Sequence, residues 1–341
     1  MLRNKLGVGI IGLGIISDAH EKGLAQSADQ AEIVAVCDIN AERAQARARP
    51  YHATVYTDYL ELLEDRRVDV VDIILPHNLH YPVARDAIEH GKYILIEKPL
   101  ALTSADGADL ITRARSKGIK FSVAENTRFV TAYLEVEKVL HSGALGKILS
   151  VRTLIAGSEI YRLVDNRTWK GKKEGSGGGV IMDAAPHSFY LLRWLFGGVA
   201  SLQAFETKLI EQSEVEDNAL VTGRLANGSL FTSQFSFTVE APWTERLEIN
   251  GFEGALIIDQ IANPVGTQFK GTLDFKGRPL EIPYNPENWK FDSIVAEVEG
   301  FIDAVWNDQP PAVDPSDANY AVFCVEKAYE SIEKGKELSL N

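Results

Sequence analysis

The stretch Lys5-Leu6-Gly7-Val8-Gly9-Ile10-Ile11-Gly12-Leu13-Gly14-Ile15-Ile16-Ser17 decides the fold. Lys5 to Ile11 is apolar and punctuated by glycine, the pattern of a short buried strand. Asp18 to Ala28 follows with helical spacing. Between strand and helix, Gly12 permits a tight turn, and Gly14 lets backbone approach a ligand with no side chain in the way. The helix then presents unpaired N–H groups and the positive end of its dipole. The usual third glycine is replaced by Ser17, which is still small. A strand, a glycine loop and a helix in this order form a cradle for pyrophosphate.

Working outward, Glu32 to Cys37 reads as a second strand, and Asp38 stands at its end. A carboxylate there accepts both ribose hydroxyls of a dinucleotide and repels the extra phosphate of NADP. Ile39-Asn40 follows, with no adjacent arginine to hold that phosphate. The expectation is a dinucleotide site formed by Gly12, Gly14, Ile15, Ile16 and Asp38, with NAD preferred over NADP.

The alternation continues. Helices are expected over Ala41–Ala48, Asp58–Glu64, Pro82–His90 and Thr103–Lys117, with strands at Val55–Tyr56, Val68–Leu75, Tyr93–Glu97 and Phe121–Ala124. Repeated strand-helix-strand order predicts a doubly wound parallel sheet, a Rossmann domain over residues 1–125. The pattern then changes. Thr131–His141 and Met182–Phe196 read as helices, Ile148–Ala156 as a long strand, and residues 158–179 as a polar loop. Between Ala200 and Ile258 the runs alternate with period two, and Asn227-Gly228 is a strong hairpin signal. Phe291–Trp306 and Ala318–Ile332 close the chain as helices. Residues 126–341 are therefore expected to form an α+β domain with a large, mostly antiparallel open sheet, serving substrate binding and oligomerisation.

Composition narrows the function classes. The 341 residues are 45% hydrophobic and 24% charged, which excludes a disordered chain or a fibre. Thirty-five basic against 48 acidic residues give a net charge of −13, which disfavours nucleic acid and anionic membrane as partners. Two cysteines, Cys37 and Cys324, cannot build a disulfide framework or a four-cysteine zinc site. Residues Val8 to Ile16 superficially mimic a signal peptide, but they are interrupted by glycines and reach no clear cleavage site. No apolar run approaches the ~18 residues that would span a bilayer. A cytoplasmic protein is expected.

Further motifs follow in order: Pro76-His77-Asn78-Leu79-His80, Glu97-Lys98-Pro99-Leu100-Ala101, Asn126-Thr127-Arg128-Phe129, and Gly177-Gly178-Gly179-Val180-Ile181-Met182-Asp183 with His187 four residues on. With Gly12-Leu13-Gly14, they make the chain resemble the glucose-fructose oxidoreductase / inositol dehydrogenase / MocA family over nearly its whole length. The resemblance implies pyridine-nucleotide oxidoreduction, usually on sugars, polyols or their derivatives. It implies catalytic roles for Lys98, Asp183 and His187. It sets Pro76, His77 and His80 along the nicotinamide ribose, and Trp169 with Lys170 near the nicotinamide, with Glu97 beside the cofactor. Asn126, Arg128 and Tyr161 are candidates for substrate contact, with packing and surface roles equally open. Three positions depart from the family's habit. His77 stands where asparagine is common, Ala185 where glycine is, and Tyr190 where aspartate is.

Elementary chemistry fits those roles. Oxidising an alcohol removes hydride from carbon and a proton from oxygen. Imidazole titrates near neutral pH, which suits His187 as base in one direction and acid in the other. Asp183 lies four residues earlier, on the same helix face. It either bonds substrate or biases the imidazole. Lys98 ends a parallel strand, where ligands of such sheets bind, and its ammonium would stabilise an incipient alkoxide. Glu97 would position it. His77 and His80 stand three apart, but no metal is expected.

The resulting expectation is an NAD(P)-dependent dehydrogenase of a sugar, cyclitol or related polyol. The alternatives are an NADP-dependent reductase of a keto-sugar, a lyase or epimerase using tightly bound NAD transiently, or a cofactor-binding protein without catalysis. Phe231, Phe235 and Phe237 fall on one side of a strand and need cover, either from helices of the same domain or from another subunit. The resemblance implies a homodimer or homotetramer.

Overall fold

The structure is a computed structural model describing residues 5–165, 167–261, 266–269, 273–274 and 289–340. Its elements, in chain order, begin with β1 (Leu6–Ile11), α1 (Ser17–Gln26), β2 (Ala31–Cys37), α2 (Ala41–Ala48), β3 (Thr54–Tyr56), α3 (Tyr59–Glu64), β4 (Val70–Ile73), α4 (His77–Glu89), β5 (Tyr93–Glu97), α5 (Ser104–Ser116) and β6 (Phe121–Ala124). Then come α6 (Thr131–His141), β7 (Ile148–Ala156), α7 (Ile160–Val164), α8 (Lys173–Ser176) and α9 (Val180–Phe196). Strands β8 (Val199–Thr207), β9 (Asn218–Leu225), β10 (Leu230–Ser236), β11 (Thr244–Gly251), β12 (Gly254–Ile261), β13 (Gly266–Phe269) and β14 (Leu273–Asp274) follow. The chain closes with α10 (Trp289–Trp306), α11 (Pro315–Lys334) and β15 (Leu338–Ser339).

These elements form two compact units. The first holds the described residues up to Asn126 together with Phe291–Asn319; the second holds Thr127–Lys290 and the described residues from Tyr320 onward. The sequence reading places one boundary near residue 125, whereas the first unit also contains Phe291–Asn319. The reason is apolar. Val298, Phe301, Ile302 and Val305 of α10 join Val8 and Ile10 of β1, Leu24 of α1 and Ala44 of α2 in one buried cluster.

In the first unit six strands pair in parallel, in the order β3-β2-β1-β4-β5-β6. This is the expected doubly wound Rossmann sheet, with its direction of growth reversing between β1 and β4. β4 is buried at all four positions, as a strand covered on both faces should be. Capping fixes the helix starts: Asn40, Asp58 and Thr103 each accept a backbone N–H from the first turn of α2, α3 and α5. Helix α4 begins at His77, five residues before the expected start, and Pro82 lies inside it.

The second unit is built on a nine-stranded sheet, with β13-β12-β11-β7-β10-β9-β8-β15 in order and β14 on β12. Only β7 and β10 run parallel; the other pairs are antiparallel. Asn227-Gly228 does connect a hairpin, β9 to β10. Phe231, Phe235 and Phe237 are 1%, 0% and 3% exposed, and α9 of the same unit packs over β9 and β10. On β7 and β10, Thr153 Oγ1 lies 2.8 Å from Ser233 Oγ and 3.1 Å from Ser188 Oγ of α9, a buried polar tie between helix and sheet. The expected loop over 158–179 contains the short helices α7 and α8. Among the described residues no helix is long and apolar enough to cross a membrane.

Candidate active site

In the first unit the glycine loop behaves as its residues require. Gly12 has φ +94°, and a Cβ there would stand 2.1 Å from the Ile74 carbonyl oxygen. A Cβ on Gly14 would meet nothing within 4 Å, so that face of the loop is open to a ligand. Ile15 is 76% exposed and Ile16 also reaches the surface. Asp38, at the end of β2, is buried. Its Oδ2 accepts from the Leu13 N–H at 3.0 Å, and its Oδ1 from the Asn40 N–H at 2.8 Å. Loop and carboxylate are therefore one construction. Although no arginine adjoins Asp38 in sequence, one adjoins it in space: Arg43 Nη1 lies 3.1 Å from Asp38 Oδ2. With Asn40 capping α2, Arg43 sits in the first turn, and its side chain reaches back to the strand end.

Pro76 precedes α4, and His77 is the helix's first residue. His77 and His80 are buried. His80 faces the Pro99 carbonyl with Nδ1 at 2.7 Å and the Leu75 carbonyl with Nε2 at 2.9 Å. It thus ties the segment after β4 to the one after β5. Burial holds its pKa below the usual value, against the pull of those carbonyls.

Glu97 and Lys98 end β5, and the Lys98-Pro99 peptide is cis. The Glu97 carboxylate is held at both oxygens. Oε1 lies 3.3 Å from His20 Nε2, and Oε2 accepts the Lys98 backbone N–H at 3.0 Å. The other nitrogen of His20, Nδ1, is 3.0 Å from Asp72 on β4. His20 is fully buried. Burial opposes its charge, but the Asp72 and Glu97 carboxylates outweigh it and hold the imidazole well above its usual pKa. For Glu97, burial is likewise outweighed, by His20 and Lys98, and the carboxyl is held below its usual range. A ring nitrogen of His20 and one oxygen each of Glu97 and Glu297 lie within 4.8 Å of one another, a spacing that a cation could bridge. Both imidazole nitrogens already face carboxylates, however, which favours a protonated ring over a metal ligand.

In the second unit, α9 carries Asp183 and His187 one turn apart, both partly exposed. The Lys170 ammonium is paired with Asp183, and it also lies 5.2 Å from the centre of the Trp169 ring. His187 Nδ1 is 3.4 Å from Thr127 Oγ1. His187 opens on a small pocket lined with Thr127, Tyr133, Thr153, Glu245 and Arg246.

Of the three glycines before α9, Gly177 ends α8 with φ +76°, and the other two serve close packing. A Cβ on Gly178 would stand 2.0 Å from the Tyr329 hydroxyl, and one on Gly179 would stand 1.7 Å from the Glu216 carbonyl oxygen. Glu216 closes the helix start. Its Oε2 accepts from Gly179 N–H at 2.9 Å, and its Oε1 from Ile181 N–H at 3.0 Å and from the Tyr329 hydroxyl at 2.8 Å. A carboxylate at this end also complements the helix dipole.

The candidate substrate contacts separate. Asn126 gives its amide to Ser293 Oγ at 2.8 Å within the first unit. Arg128 stacks 4.1 Å over the Trp194 ring, and Glu137 accepts the Trp194 Nε1–H at 2.7 Å, so this arginine is built into packing. Tyr161 is 59% exposed on α7, with its hydroxyl accepting from Arg162 at 2.7 Å. Arg43, Glu216, Tyr329 and Thr127 are the residues that sequence reasoning missed. Arg43 left a signal in the Asn40 cap that starts α2, and Thr127 stands unassigned within the motif Asn126-Thr127-Arg128-Phe129.

A parallel sheet in this order, a glycine loop bonded to a strand-end carboxylate and a second sheet-bearing unit define a class: oxidoreductases with an NAD-binding Rossmann fold. Residues 6–125 match the model of an oxidoreductase family with an NAD-binding Rossmann fold, and residues 133–257 match the GFO/IDH/MocA C-terminal domain. The chain belongs to the GFO/IDH/MocA family of oxidoreductases. Among its relatives, the scyllo-inositol 2-dehydrogenase (NAD(+)) of Bacillus subtilis is 24% identical, over 100% of this chain and 98% of that protein. The inositol 2-dehydrogenase of Salmonella typhimurium is 37% identical, over 43% of this chain and 44% of that protein. Among solved structures, the WlbA dehydrogenase of Bordetella pertussis in complex with NADH and UDP-GlcNAcA has a TM-score of 0.86 at 24% identity, with 99% of each chain covered.

Proposed function

We propose that the protein is an NAD-dependent dehydrogenase that oxidises a secondary hydroxyl of a cyclitol, sugar or related polyol, or reduces the corresponding ketone. The observation that carries the reading is the bond from Leu13 of the glycine loop to Asp38, which puts a buried carboxylate where a ribose diol would bind. The substrate class is supported by relatives named as inositol dehydrogenases. When bound, NAD supplies the hydride acceptor. Gly12, Gly14, Ile15, Ile16 and Asp38 hold its adenosine and pyrophosphate end, with Pro76 and His77 nearer the nicotinamide.

The remaining work falls to side chains. Lys98 hydrogen-bonds the reacting hydroxyl and stabilises negative charge as it develops on oxygen. His187 accepts the hydroxyl proton and returns it in the reverse direction. Asp183, with its charge steadied by Lys170, orients substrate or the imidazole. Trp169 and Lys170 contribute to the nicotinamide end of the cofactor site. We assign the sheet face bearing Phe205 and Leu220, opposite one another and 53% and 38% exposed, to contact with another copy of the chain in a dimer or tetramer.

Steady-state kinetics with NAD and a panel of inositols and sugars test this. Lys98→Ala and His187→Ala are each expected to lower kcat roughly 10²- to 10⁴-fold while NADH affinity stays within severalfold. Near-normal turnover in both variants would refute the assignment.

A further inference from the structure

Behind Lys98 lies a buried group of charges that the proposed reaction does not use directly. His20 comes from α1, Asp72 from β4, Glu97 from the end of β5, Glu125 from just beyond β6 and Glu297 from α10. All five belong to the first unit. His20, Asp72, Glu125 and Glu297 are 0%, 1%, 2% and 3% exposed. The carboxyl groups of Asp72, Glu97 and Glu297 therefore stand around one imidazole, with Glu125 acting on Glu297, and a single imidazolium does not balance them. Asp72 and Glu97 are hydrogen-bonded to His20. Glu297 differs: neither of its carboxyl oxygens has a hydrogen-bond partner among the described residues, although an oxygen of Glu97 and a ring nitrogen of His20 lie within 4.8 Å of one of them. A buried, ionised carboxylate without a partner is among the costliest groups a fold can hold, whereas the protonated acid is not.

The geometry beyond this cluster is directional. His20 grips one oxygen of Glu97, and the other oxygen grips the backbone N–H of Lys98. Whatever fixes the Glu97 carboxylate therefore fixes the backbone from which the Lys98 side chain departs. An ionised Glu297 would compete with Glu97 for His20 and repel it; a neutral Glu297 leaves the imidazolium to Glu97.

We propose that Glu297 is a neutral carboxylic acid in the folded protein, and that Glu297 and His20 are positioning residues that hold Glu97, and through it the backbone of Lys98. The significance of Lys98 rests on the reading above; the protonation and the positioning do not. Burial first, and then the neighbouring charges of Glu97, Glu125 and Asp72, raise the pKa of Glu297, against the opposing pull of His20. The charges of Lys98 and His80 also favour the ionised form of Glu97.

The test uses the full-length protein labelled with 13C at glutamate carboxyls and with 15N at lysine. Comparison with Glu297→Gln identifies the Glu297 signal. It is expected at the position of a protonated acid, without titrating through neutral pH. Exchange of the Lys98 amide is expected to quicken roughly tenfold in Glu297→Ala and in His20→Ala, and to return toward wild type in Glu297→Gln, which keeps the shape and neutrality of the acid. Where turnover is measurable, the kcat–pH profile should shift in the alanine variants, with KM for NAD unchanged. A Glu297 signal that titrates in the ordinary carboxylate range would overturn the proposal. So would Lys98 exchange unaffected by either alanine variant. Calorimetric uptake of one equivalent of zinc or magnesium, lost in Glu297→Gln, would replace it with a cation site. Absence of turnover on every polyol, with both spectroscopic results as expected, would defeat the dehydrogenase reading and leave this one standing.

Discussion

The guanidinium of Arg43 lies 3.1 Å from a carboxylate oxygen of Asp38, the residue proposed to receive a ribose. In the proposed site the carboxylate would select against a 2′-phosphate, and the arginine beside it would welcome one. Cofactor choice therefore depends on which of the two is free to act. Asp38→Ala releases Arg43, and the NADP-to-NAD ratio of kcat/KM is expected to rise at least about tenfold, or about 1.4 kcal/mol. Adding Arg43→Ala should remove most of that gain. A double variant as NADP-tolerant as the single one would show that Arg43 has no part in it.

Two glycine substitutions should part binding from stability. Gly14→Ala adds a methyl where nothing lies within 4 Å, so thermal unfolding should hardly change while NADH affinity falls about tenfold or more, because the methyl occupies the pyrophosphate approach. Gly179→Ala adds one 1.7 Å from a carbonyl oxygen and should cost about 1–3 kcal/mol by forcing the backbone aside. Fluorescence titration and denaturant unfolding of both variants check the contrast. Equal behaviour of the two would mean that the openness at Gly14 has no bearing on ligand.

The sign of one pH dependence follows from His20. Its pKa is raised above the ordinary 6.5 in the folded protein, so the folded state binds the proton more tightly than the unfolded chain does. The stability this contributes is fully present below the unfolded value and is lost as pH rises through the folded one. Wild type should therefore exceed His20→Gln by most near pH ~6, with the margin shrinking toward pH ~9 in urea unfolding. A margin that widens with pH would contradict a charged, carboxylate-paired imidazole.

The first unit was legible because parallel strands buried on both faces leave apolar runs, and because glycines and capping side chains punctuate them. β5, β6, α2, α6 and β7 fall at the residues expected. The start of α4 was missed because Pro82 reads as a helix opening, although the first turn is already formed at His77. What escaped the sequence is what tertiary contact makes. Glu216 meets Tyr329 across 113 positions, and no local pattern marks either residue. His20 carries no local pattern that marks it, because its partners come from β4, β5 and α10. Arg43 looks like one more surface arginine until α2 turns it toward Asp38.

Because Phe291–Asn319 belongs to the first unit, that unit is discontinuous along the chain. On the ribosome, its β-sheet emerges early, but the apolar face served by Val298, Phe301, Ile302 and Val305 stays bare until Thr127–Lys290 of the second unit have also been made. A fragment stopped at Asn126 would lack the four α10 side chains that cover that face and would leave it exposed to water.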